Sequence, residues 1–115
     1  MDLRILNIGK TSQNIIVSLD PYQGDQEIEI IDSAVIYLMA LQANSKSVTF
    51  TDGEPFRQAK SIAYLAEALR SVGISVIVHT GYTQNELHAM SKRGKYTKLL
   101  IEQVDCLISQ LREAL

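Results

Sequence analysis

Three adjacent residues, Asp52, Gly53 and Glu54, carry the chemistry that stands out in this chain. They follow Val-Thr-Phe-Thr at 48–51, a β-branched and aromatic run with strand propensity. They precede Pro55, which suits the first turn of a helix. A tight strand-to-helix turn of this kind leaves backbone amides and carbonyls unpaired beside two carboxylates. The glycine supplies backbone freedom that other residues lack. The residues by themselves leave two readings open, a ligand site at exposed backbone groups or an ordinary strand-to-helix turn with solvated carboxylates. Thr80 and Gly81 end the next apolar run, 74–78, and belong beside this turn if the two runs are neighbouring strands. Open α/β sheets present a crevice at that place, at the carboxyl ends of the strands.

Elements must hold these residues in place, and their order is readable. Residues 3–8 and 14–19 read as strands, and Asp20-Pro21-Tyr22-Gln23-Gly24 as a turn. Residues 27–31 alternate briefly, after which Asp32 or Ser33 can cap a helix to about Ala43. Ile31, Val35 and Leu38, with Ala34 and Leu41 beside them, form an apolar helical face. The helix over 56–71 has a stripe of Ala59, Ile62, Ala63, Ala66 and Leu69, with Lys60, Glu67 and Arg70 toward water. Gly73 is its expected left-handed cap. Thr83 and Glu86 make a capping box for a short helix. Residues 91–97 read as a basic loop, followed by a helical stretch at 98–103 and a last strand at 104–108. Strand and helix alternate through the last two-thirds, so the fold class is α/β: one small domain, 1–115, with an open or partial-barrel parallel sheet and helical crossovers. The chain is too short for a closed eight-stranded barrel. Runs 48–51, 74–78 and 104–108 are expected as neighbouring parallel strands.

Several classes are disfavoured. A net charge of −2 does not point to nucleic acid, and no apolar run approaches a membrane span. One cysteine forms no internal disulfide and fits a reducing compartment, so a cytoplasmic location is expected. No Ser-His-Asp, zinc or Walker-type pattern is present. His79 ends a strand where α/β sites gather, and its reading stays open between a site-facing and a structural histidine. His88 reads as solvated, residues 92–98 as a charged surface loop, and Cys106 as a small core residue.

Taken as a set, the Asp-Gly-Glu-Pro turn at 52–55, Val-His-Thr-Gly-Tyr at 78–82 and Val-Asp-Cys-Leu-Ile at 104–108 resemble the radical S-adenosylmethionine superfamily. The nearest likeness is to activating proteins of anaerobic ribonucleotide reductase and other glycyl-radical enzymes. The resemblance covers residues 45–108. It implies that a Gly-Gly-Glu-Pro turn meets the methionine amino group of S-adenosylmethionine, which carries over to Gly53, Glu54 and Pro55, with Asp52 in place of the first glycine. Asp52, Gly53, Glu54, Thr80 and Gly81 are therefore the expected cofactor-binding residues, with no catalytic residue assigned.

The same resemblance implies a [4Fe-4S] cluster on a Cys-x3-Cys-x2-Cys loop and a glycyl radical made on a partner. Where that loop is expected the chain reads Asn-Ile-Ile-Val-Ser-Leu-Asp-Pro-Tyr-Gln-Gly, 14–24, without a cysteine. A cluster needs several soft thiolates, so none is expected in this chain alone. The expectation is thus a degenerate or truncated activase-like protein without independent radical chemistry, with S-adenosylmethionine as the cofactor the resemblance suggests. Two alternatives stay open. One is a component of a glycyl-radical activating system, its cluster supplied by a partner chain or missing segment. The other is a noncatalytic module binding a ligand or a protein.

Overall fold

A computed structural model describes residues 1–109. Six strands form one sheet in the order β3-β1-β2-β4-β5-β6: β1 (Asp2–Lys10), β2 (Asn14–Leu19), β3 (Glu29–Asp32), β4 (Ser47–Thr51), β5 (Ser75–Thr80) and β6 (Cys106–Ser109). β2, β4, β5 and β6 pair in parallel, while β1 runs antiparallel to both β2 and β3. The sheet is mostly parallel and does not close into a barrel. The three runs expected to lie side by side in parallel do so. The antiparallel β1 follows from the short connection at Thr11–Gln13, since a tight link joins antiparallel strands whereas a parallel step needs a crossover.

Helices α1 (Ser33–Gln42), α2 (Ala59–Ser71), α3 (Gln84–Ser91) and α4 (Lys95–Gln103) fill the crossovers. Each parallel step moves the same way along the sheet, so right-handed crossovers carry these helices to one face. α1 packs on α2 and α2 on α4, as that arrangement requires. The core lies between helices and sheet. Ile15, Val17, Leu19, Val48, Phe50, Val76 and Val78 meet Ile36, Ile62, Ala66, Leu69 and Leu100 there, all fully buried. The stripe expected for α2 is buried throughout, and Lys60, Glu67 and Arg70 are exposed. Gly73 caps α2 with φ of +81°, and the Ile74 amide returns to the Leu69 carbonyl at 3.0 Å.

Three expectations are corrected. The buried residues of α1 are Ile36 and Ala40, and the stripe of Val35, Leu38 and Leu41 is exposed instead. Because α1 is apolar on every side, periodicity does not identify its inward face. The basic segment is not a loop to Thr97, since α4 already begins at Lys95. Cys106 is exposed, not core. It pairs with Ile77 on an edge strand, and alternation along that strand turns it to the side away from Val76 and Val78. The capping box is as expected: the Glu86 amide donates to Thr83 Oγ1 at 3.1 Å and the Thr83 amide to Glu86 Oε1 at 3.0 Å. Among the described residues, no helix is long and apolar enough to cross a membrane.

Candidate functional site

At the carboxyl ends of β2, β4, β5 and β6 lies an open crevice of about 520 Å³. All five expected site residues line it: Asp52, Gly53 and Glu54 from the turn after β4, Thr80 at the end of β5, and Gly81. Arg57, His79, Gln23, Tyr82 and Ile108 are also in its wall. His79 is exposed there, while exposed His88 sits on α3 away from it.

Glu54 organises the floor. Its carboxylate accepts from the Thr80 hydroxyl (2.8 and 3.0 Å to the two oxygens), from the Gly81 amide (2.8 Å) and from the Phe56 amide (3.0 Å). The last of these caps the 3-10 turn Pro55–Gln58 that leads into α2. Thr80, only 2 % exposed, accepts in turn from the Tyr82 amide at 3.1 Å, and Ser109 donates to the Tyr82 carbonyl at 2.6 Å. The side chain that sequence reasoning aims at a ligand is therefore the brace that joins the ends of β4 and β5. Its acceptor capacity is spent largely within the chain. What remains for a ligand is the backbone around Asp52 and Gly53, the exposed Asp52 carboxylate, and Arg57.

Asp52 holds the turn's shape in place of the first glycine, and Gly53 serves closeness of approach and not a left-handed angle. Asp52, not Gly53, takes the left-handed conformation, with φ of +73°. Aspartate tolerates that region better than most residues because its short polar side chain can bond locally. Gly53 is required for another reason. A Cβ on it would stand 2.3 Å from the Asp20 carbonyl oxygen and 2.9 Å from Leu19 Cβ, so the turn lies directly on the end of β2.

Residues 20–24 hold the other wall, and their anchoring is only faintly marked in the sequence. Asp20 is 4 % exposed and accepts from Arg4 Nε at 2.8 Å and from the Tyr22 amide at 2.7 Å. Burial works to raise its carboxyl pKa. The Tyr22 amide, the bond from Arg4, and the charges of Arg4 and Arg57 outweigh it, and the pKa lies below the ordinary value. The Arg4 and Arg57 guanidinium groups lie 5.6 and 5.2 Å from the centre of the Tyr22 ring. Only Asp20, turned inward beside an early arginine, could have hinted at this clamp from sequence.

The sequence profile of the 4Fe-4S single cluster domain family matches residues 18–113. The chain belongs to that family. No curated protein matches it. Membership implies a cluster, and the residues at this crevice do not fit one. The chain has a single cysteine, Cys106, exposed on edge strand β6. Among the described residues no group of three or more His, Cys, Asp or Glu side chains could hold a metal ion. The family match opens at Ser18, so the first loop it covers is 20–28. It holds no cysteine, and its buried carboxylate, Asp20, is already committed to Arg4 and Tyr22. Cluster irons are held by thiolates, and the expectation of no cluster held by this chain alone rests on that chemistry.

Proposed function

We propose that this chain is a noncatalytic, activase-like relative of the radical S-adenosylmethionine proteins. It keeps the sheet and its crevice as a binding module and carries no radical chemistry of its own. One observation carries the reading. The loop at the end of β2, where the resemblance places the cluster cysteines, is closed by Asp20, Arg4 and Tyr22 instead. An ion pair, and a ring that two guanidinium groups approach, fix backbone that a cluster would otherwise organise. Asp52 and Gly53, with Arg57 beside them, are proposed to face a ligand, while Glu54, Thr80 and Gly81 shape the crevice floor beneath it.

A second reading has a specific observation in its favour. The braced turn and the crevice are intact, which suits a component of a glycyl-radical activating system whose cluster sits on another chain. Anaerobic iron and sulfide reconstitution, followed by desalting, optical spectroscopy and iron counting, tests both. The protein alone should retain no cluster absorbance. About four irons per chain surviving desalting, the content of one [4Fe-4S] cluster, would overturn the noncatalytic reading. A cluster retained only with a partner chain would favour the second.

A further inference from the structure

The crevice is not the only surface with unspent chemistry. On the outer side of the helical layer, Tyr64 of α2 and Tyr96 of α4 meet edge-on, with ring centres 6.1 Å apart and an interplanar angle of 60°. Two ammonium groups share the Tyr96 ring: Lys60 Nζ lies 5.3 Å from its centre and Lys95 Nζ 5.6 Å. Lys92 and Arg93 are exposed in the turn just before α4. Among the described residues none of these four cations has a carboxylate within ion-pair distance. Glu67, one turn beyond Tyr64, is exposed and makes no ion pair with them.

This surplus is local. The whole chain is acidic, with 13 Asp and Glu against 11 Lys and Arg. Lys60 and Lys95 at one ring, with Lys92 and Arg93 just before Lys95 in the chain and no ion-pair partner for any of them among the described residues, make a polarised field that orients and attracts an anionic partner. Lys60 and Lys95 bring two like charges to one ring, and a carboxylate that meets both offsets their repulsion.

We infer that the Lys60–Tyr96–Lys95 surface, flanked by Lys92 and Arg93, docks an acidic segment of a protein partner. The aromatic geometry favours carboxylates over single-stranded nucleic acid. Base stacking needs an open ring face, and Tyr96 is already engaged by two lysines and by Tyr64. The Tyr96 ring restrains both ammonium groups, so less side-chain freedom is lost when a carboxylate arrives.

Fluorescence anisotropy of a fluorescein-labelled oligoglutamate, read at low and at physiological ionic strength, tests this. The intact protein should bind the peptide, and salt should weaken binding because the contacts are exposed. The double substitution Lys60→Gln/Lys95→Gln should weaken it roughly fivefold or more. Lys10→Gln/Lys46→Gln, two exposed lysines elsewhere in the fold, should leave it unchanged. In the unsubstituted protein, peptide-induced amide shifts in NMR spectra should concentrate at residues 60–64 and 92–96. Three outcomes overturn the proposal: no binding at low salt, equal losses in both double variants, or tighter binding of an oligothymidylate of equal length. None of these bears on iron content, so this surface and the noncatalytic reading stand or fall separately.

Discussion

Thr80 donates its single hydroxyl proton to the Glu54 carboxylate across the ends of two parallel strands, at 2.8 and 3.0 Å from the two oxygens. Glu54 is the residue that a sequence reading aims at a ligand, and its partners are all within the chain. If the carboxylate is a brace, its removal harms the protein before any ligand is added. Glu54→Ala should lower unfolding stability by about 2–4 kcal/mol, because buried Thr80 and the Gly81 and Phe56 amides lose a charged acceptor. Denaturant titration of the ligand-free variant measures this. A loss below about 0.5 kcal/mol would mean that the carboxylate does not hold the turn.

The turn beside it separates two glycine requirements that look alike in a sequence. Gly53→Ala should be destabilising by about 1–3 kcal/mol, since its Cβ would collide with the Asp20 carbonyl and the β2 backbone must move. Asp52→Gly should act in the other direction. The left-handed conformation of Asp52 carries strain that glycine does not, so a gain of up to about 1 kcal/mol is expected. Thermal unfolding of the two variants should show shifts of opposite sign.

Acid should undo the clamp at the end of β2. The Asp20 carboxyl titrates lower in the folded chain than its ordinary value of 3.8, so the folded state favours the ionised form. The corresponding stability is fully present above that ordinary value and is lost as pH falls through the lower, folded one. Asp32 is lowered in the same sense by the Ala34 amide and the N-terminal ammonium, so it adds to the same acid limb. Stability measured from pH 6 downward should be flat until about pH 4 and then fall. Asp20→Asn should make that fall shallower and Asp32→Asn should reduce the remainder. An unchanged acid limb in Asp20→Asn would show that the Arg4 pair does not favour the folded state.

Parallel strands and the inward stripe of α2 were legible because each had one reading. Val76 and Val78 are apolar in a run too short for a helix, and Ile62, Ala66 and Leu69 recur at helical spacing opposite Lys60, Glu67 and Arg70. α1 was legible as a helix but not as to its orientation. Ser33–Gln42 carries no charge to mark an outer side, so the choice of Ile36 and Ala40 over Val35 and Leu38 was made by packing alone. Cys106 was misread because a lone Val-Asp-Cys-Leu-Ile run does not say that its strand is an edge. The grouping of Asp52, Gly53, Glu54, Thr80 and Gly81 came from motif order and fold logic, and the structure brings them together. The Arg4–Asp20–Tyr22 clamp was hidden because Arg4 and Asp20 are far apart in sequence and meet only through antiparallel pairing of β1 with β2.

S-adenosylmethionine itself discriminates a working cofactor site from a retained shape. With no iron to take its carboxylate and amine, and with Glu54 committed to Thr80, Gly81 and Phe56, the crevice offers only a few hydrogen bonds. Each is worth about 0.5–1.5 kcal/mol net, somewhat more where a charge takes part. Ordering a flexible ligand in an open crevice costs several times that, so binding should be millimolar or weaker. Titration calorimetry or ligand-observed NMR on the isolated chain measures it directly. Asp52→Asn gives the internal check, because the exposed Asp52 carboxylate is the acidic group left to meet an ammonium. Micromolar binding that Asp52→Asn weakens tenfold or more, a loss of about 1.4 kcal/mol or greater, would make this turn a functioning cofactor site and overturn the noncatalytic reading.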